Sequence, residues 1–93
     1  MANVKIIKYE KPYCAPCARV EGYLKDLGVA DVVDHRNPFD DPDAAAKHGV
    51  MMSVPVVALV NADTDELIVS AEGDNRDGIN VLVDMYHKLK QGA

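Results

Sequence analysis

The chain has 93 residues, enough for one domain with a single core but not for two. Apolar residues make up 48% and charged residues 27%, the balance of an ordinary soluble globular protein. A net charge of −5 argues against a nucleic-acid or anionic-membrane surface, which would favour a basic face, and no apolar segment is long enough to span a bilayer.

Taken in order, Val4 to Tyr9 is rich in β-branched residues and reads as a strand, preceded by nothing that resembles a secretory signal. Pro12 breaks it. Cys14-Ala15-Pro16-Cys17 then opens a helical pattern whose apolar positions, Val20, Leu24 and Leu27, fall at steps of 3 and 4 and stop at Gly28, the expected C-terminal cap. Gly22, in the middle, costs about 1 kcal/mol relative to alanine. Val29 to Asp34 reads as a second strand, and Arg36 to Asp41 as a polar loop. Asp41-Pro42-Asp43 has the composition of a helix start, with Asp at the N-cap and Pro at the first helical position, and that helix runs to His48. Val54 to Val60 is almost wholly apolar, as expected of a strand buried on both faces. Leu67 to Val69 is its hairpin partner. The last helix carries Ile79, Leu82, Val83, Tyr86 and Leu89 on one face. The order βαβαββα predicts an α/β domain over residues 1–93. A parallel β-α-β half and an antiparallel hairpin would form one mixed four-stranded sheet flanked by three helices.

Cys14 and Cys17 are the two cysteines of the chain. At i and i+3 on one helical turn their Cα atoms lie roughly 5 Å apart, within the roughly 4.4–6.8 Å that a disulfide requires. A bridge closing so small a loop stabilises little, so the pair reads as a redox couple rather than a staple. Cys14, just before the helix, meets unpaired N–H groups and the positive end of the helix dipole, which favour its thiolate. Cys17, one turn in, faces the sheet and is expected to be the more buried. Cys14 is therefore the expected nucleophile and Cys17 the resolving thiol, with Pro16 stiffening the turn between them. A structural zinc would need four ligands. His35, His48 and His87 are scattered and read as solvated surface residues, so no metal and no bound cofactor is expected. Lys8, unusual in a central strand, is read as reaching the strand end to keep its charge in water rather than acting on the cysteines. The acidic run Asp40, Asp41 and Asp43 is read as a helix cap.

The position of Val54-Pro55, together with the Cys14–Cys17 spacing and the element order, resembles the thioredoxin superfamily over nearly the whole chain. That resemblance implies the thioredoxin fold, and a cis peptide bond at Val54-Pro55 facing the cysteines, where the backbone of Val54 pairs with an extended substrate. Without it, a trans proline at a strand entry is the expectation. Tyr9-Glu10-Lys11-Pro12-Tyr13-Cys14 is similar to the segment leading into the cysteines of glutaredoxins and of the small redoxins that serve ribonucleotide reductase. In that likeness Lys11 would meet a glutathione carboxylate, Tyr13 would flank the nucleophile, and Gly73-Asp74 would hold the other end of glutathione. Gly73-Asp74 keeps one glycine of the usual pair. Cys-Ala-Pro-Cys is nearer the thioredoxin Cys-Gly-Pro-Cys, whereas thioredoxins carry a Trp where Tyr13 stands and a buried Asp where Lys8 stands. Between Gly49 and Pro55 there is one residue more than in most relatives; Met51 or Met52 in that loop is either exposed for contact or packed as filler, and filler is the preferred reading.

The resemblance implies a cytoplasmic, monomeric thiol–disulfide oxidoreductase that reduces protein disulfides, with ribonucleotide reductase one client. Glutathione or a flavin-dependent thioredoxin reductase would recharge it. The alternative is a thioredoxin-fold binding subunit whose partner surface matters more than turnover, though such a scaffold has no need of Pro16 between two cysteines.

Overall fold

The computed structural model describes residues 3–51 and 53–91. Its elements in chain order are strand β1 (Val4–Tyr9), helix α1 (Ala15–Asp26), a 3-10 turn (Ala30–Val32), strand β2 (Val33–Arg36), helix α2 (Pro42–Lys47), strands β3 (Val56–Asn61) and β4 (Leu67–Glu72), and helix α3 (Arg76–Gln91). The sheet has four strands in the order β2-β1-β3-β4. β1 runs parallel to β2, with Ile6 opposite Val33, and antiparallel to β3, with Ile6 opposite Leu59; β3 and β4 form the antiparallel hairpin. The expected α/β architecture, a mixed four-stranded sheet with three helices, is the observed one.

Two apolar clusters follow from strand alternation. Val4 and Ile6 of β1 and Val57 and Leu59 of β3 pack against Val20 and Leu24 of α1 and Ile79, Leu82 and Val83 of α3. The intervening Ile7 and Tyr9, with Val56, Ala58 and Val60, pack on the opposite face against Ala45 of α2. β3 is thus buried on both faces, which is why its sequence runs apolar without alternation.

The ends of α1 and the start of α2 are set by local chemistry. Leu27 caps α1, and Gly28 follows with φ +77°, a left-handed conformation that glycine adopts without a Cβ penalty. Asp41 accepts a hydrogen bond from the Ala44 N–H at 3.1 Å, and Pro42 takes the first position of α2. At Gly22 an added Cβ would meet nothing within 4 Å, so close packing does not explain that glycine.

Four expectations are corrected. The second strand starts at Val33, not Val29, because Ala30–Val32 close a 3-10 turn in which the Val32 N–H bonds the Val29 carbonyl. β4 extends to Glu72 because its pairing with β3 runs on to Val56. His48 is fully buried rather than solvated. Lys8 does not reach water at the strand end: it is 2% exposed and held inside by carboxylates.

Candidate active site

Cys14 is the N-cap of α1, with φ −117° and ψ 104°, and its Sγ accepts a hydrogen bond from the Cys17 N–H at 3.2 Å. A thiol sulfur here takes the place that a serine or aspartate oxygen usually fills at a helix start. The same N–H and the helix dipole favour negative charge on that sulfur. Cys14 and Cys17 form a disulfide with Cα atoms 5.2 Å apart. Cys17 is 5% exposed on the inward stripe of α1 with Val20 and Leu24, and Cys14 is partly exposed. Ala15 and Pro16 form the first turn, where Pro16 forfeits no intrahelical hydrogen bond. Tyr13, immediately before, has φ +59° and its side chain stands wholly in solvent. A tyrosine in the left-handed region is strained by a kcal/mol or so, of the order found where surrounding structure fixes a loop.

The disulfide opens into a cleft of about 590 Å³ whose walls include Lys8, Glu10, Lys11, Tyr13 and Glu21. Lys8 Nζ lies 2.7 Å from Glu10 Oε1 and 3.2 Å from Glu21 Oε1. His35 of β2 joins them, its Nδ1 3.2 Å from Glu10 Oε1. Burial pushes the Glu10 carboxyl up, but the hydrogen bonds and charges of Lys8 and His35 outweigh it and hold the group below its ordinary value. Ligand atoms of Glu10, Glu21 and His35 lie within 4.8 Å of one another, a spacing that would suit a metal ion. The Lys8 ammonium already bonds both carboxylates and offsets one of their two charges, so a cation there would have to compete with it.

The structure brings most of the sequence-derived candidates together. Lys11 lines the disulfide cleft and also an adjoining apolar groove of about 320 Å³, bounded by Phe39, Pro42, Met51 and Val54. The Val54-Pro55 peptide bond is cis. The Pro55 carbonyl accepts from the Gly73 N–H at 2.8 Å, so Gly73 stands directly behind that loop with φ +65°. Asp74 is placed apart from the clefts: its carboxylate is 3.1 Å from Arg19 Nε and 3.6 Å from Arg76 Nε, tying α1 to the start of α3. Met51 is 79% exposed at the groove and is not filler; Met52 lies outside the described residues.

Two features escaped sequence reading. Phe39, in the loop read as polar, is an exposed aromatic on the groove. His48, read as solvated, links three elements on the α2 side of the sheet. Its Nε2 donates to the Asp65 carbonyl at 3.0 Å and lies 3.2 Å from the Asp65 carboxylate, and its Nδ1 shares a hydrogen bond with the Tyr9 hydroxyl at 2.7 Å. Burial raises the Tyr9 phenol above its ordinary value, outweighing the opposing charge and hydrogen bond of Arg36. The signal for His48 was its place between a run of three alanines and Gly49, at the end of a short helix whose C-cap it forms.

A parallel-plus-hairpin sheet with a disulfide at the first strand-to-helix junction and a cis proline before the third strand defines the thioredoxin class. The chain belongs to the thioredoxin-like family. The SPbeta prophage-derived thioredoxin-like protein YosR of Bacillus subtilis is 35% identical to it over 65 residues, which cover 69% of this chain and 76% of that protein. Among solved structures, oxidized mitochondrial thioredoxin 3 from Saccharomyces cerevisiae aligns with TM-score 0.65 at 20% identity, covering 86% of this chain and 76% of its own. Fasciola hepatica thioredoxin aligns with TM-score 0.68 at 15% identity, covering 90% and 81%. At such identities the structural likeness establishes the fold. No family model matches the chain. The family and the close-spaced disulfide support thiol–disulfide oxidoreduction as its general chemistry. Among the described residues, no helix is long and apolar enough to cross a membrane.

Proposed function

We propose that this protein reduces protein disulfides by dithiol exchange, with Cys14 as nucleophile and Cys17 as resolving thiol. The observation that carries the assignment is the placement of the two sulfurs. Cys14 Sγ sits at the N-terminus of α1 within 3.2 Å of a backbone N–H, partly exposed, while Cys17 is buried one turn behind it. The reduced Cys14 thiolate attacks a client disulfide and forms a mixed disulfide; Cys17 then attacks Cys14 and releases the reduced client. Val54, on the groove beside the cleft, offers backbone to an extended client segment, and Lys11, between groove and cleft, offers a positive charge to a client or glutathione carboxylate.

Ribonucleotide reductase is one proposed client, and the proposed setting is cytoplasmic. Glutathione and a flavin-dependent thioredoxin reductase are the two proposed electron donors. Asp74 bears on that choice: with Arg19 and Arg76 beside its carboxylate, it is less available to receive a glutathione ammonium. This favours the flavin-dependent reductase. The test is turnover on insulin with each donor system. Faster turnover with thioredoxin reductase than with glutathione plus glutathione reductase is expected. Activity with neither, or full activity of Cys14→Ser, would overturn the reading.

A further inference from the structure

Lys8 is, among the described residues, a buried charge that the two-step exchange leaves unused. It projects from β1 onto the α1 face of the sheet, 2% exposed, and lines the same cleft as Cys17. Facing it are Glu10 at the end of β1, Glu21 on α1 and, through Glu10, His35 on β2; β3 contributes the apolar Val57 opposite it in the sheet. Lys11 and Tyr13 are the other ionisable groups on the cleft wall. Glu21 is one turn beyond Cys17 on the same helix, so the resolving thiol and the Lys8–Glu21 ion pair share one side of α1. An ammonium taken out of water shares the cleft with a thiol that must ionise to act, an arrangement of the kind that tunes reactivity.

We propose that Lys8 is a positioning residue for the resolving step, biasing Cys17 toward its thiolate, with Glu21 and Glu10 as counterweights that limit the bias. The proposal rests on the exchange mechanism above. In the mixed disulfide, Cys17 carries a thiol and Cys14 Sγ is bonded to the client sulfur. Cys17 gives its proton to solvent in the cleft, and the thiolate electron pair attacks Cys14 Sγ. The Cys14–Cys17 bond forms and the Cys14–client bond breaks. The client sulfur leaves with the electron pair and takes a proton from solvent. The client disulfide is thereby reduced by two electrons, and the dithiol of the protein is oxidised. The Lys8 charge lowers the cost of the Cys17 thiolate, and each carboxylate raises it.

The two signs make the proposal testable. In a Cys14→Ser background, the pH dependence of Cys17 alkylation by iodoacetamide reports its ionisation without any turnover. Lys8→Met, which removes the ammonium from between the carboxylates and leaves His35 as their remaining partner, is expected to move the midpoint upward and slow alkylation at pH 7 about tenfold. Glu21→Gln is expected to move it downward, and Lys8→Arg to hold it near the parent. Midpoints that coincide, or that move in one direction for Lys8→Met and Glu21→Gln, would overturn the proposal. If Lys8→Met does not fold, Glu21→Gln decides: a downward midpoint supports the role, and any other result overturns it. Failure of the exchange mechanism itself is seen separately, as a wild-type protein that reduces no disulfide.

Discussion

Beneath α1 the sheet buries an ammonium between two carboxylates, beside a sulfur pair that opens to solvent. Beneath α2 it buries an imidazole between a phenol and a turn carbonyl. Both faces take polar groups out of water, and in both every such group is bonded, as burial requires. The first cluster is built of formal charges and shares its cleft with the reactive sulfurs, so altering it changes the field that a thiolate feels. The second links an imidazole to a phenol, to a turn carbonyl and to the Asp65 carboxylate, which lies 3.2 Å from His48 Nε2. It ties β1, the end of α2 and the β3–β4 turn together, so altering it loosens the fold. The contrast separates reactivity from stability along the two sides of one sheet.

Substitutions on each side can break that separation. The largest effect is expected from Cys14→Ser, which should abolish disulfide reduction while leaving the thermal transition of the reduced protein nearly unchanged; turnover paired with calorimetry checks both halves. Leu24→Ala removes a fully buried side chain from the α1 cluster and should cost about 2–5 kcal/mol in denaturant unfolding. His48→Leu on the opposite face removes the bonds to the Tyr9 hydroxyl and the Asp65 carbonyl and should cost roughly 1–3 kcal/mol. The alkylation rate of Cys14 should not move with it, and a change there would couple the two faces.

The smallest effect is electrostatic. Burial raises the Asp34 carboxyl, but Arg36 and Lys5 outweigh it and leave the group below its ordinary value of 3.8; Glu10 is likewise held below 4.5. Carboxyls depressed in the folded state bind fewer protons there than in the unfolded chain, so their contribution is present above the unfolded values and lost as pH falls through the folded ones. Urea midpoints should therefore fall below pH 4.5, and Asp34→Asn should flatten part of that fall.

Much of this was legible in the sequence. β1, β3, the caps of α1 and α2, and the face of α3 follow from apolar spacing and from Pro, Gly and Asp at the element ends. The redox pair was legible because two cysteines three apart at a strand-to-helix junction have few other uses. Other features depend on tertiary placement. Val32-Val33 has the composition of a strand interior, but the 3-10 turn gives Val32 to solvent and starts the strand at Val33 rather than Val29. Lys8 is separated from Glu21 by 13 residues, so no local pattern announces its partner. His48 and Tyr9 lie 39 residues apart, so no local pattern announces their bond. Lys11 and Tyr13 stood out only through family likeness; the structure adds that they share the disulfide cleft.

The central claim is that Cys14 attacks and Cys17 resolves. Intact-protein mass spectrometry of Cys17→Ser mixed with a disulfide client tests it most directly. The account predicts a stable one-to-one adduct bonded through Cys14 and released by dithiothreitol. Absence of any adduct under conditions where the wild type turns over, or an equal adduct formed by Cys14→Ser through Cys17, would contradict it.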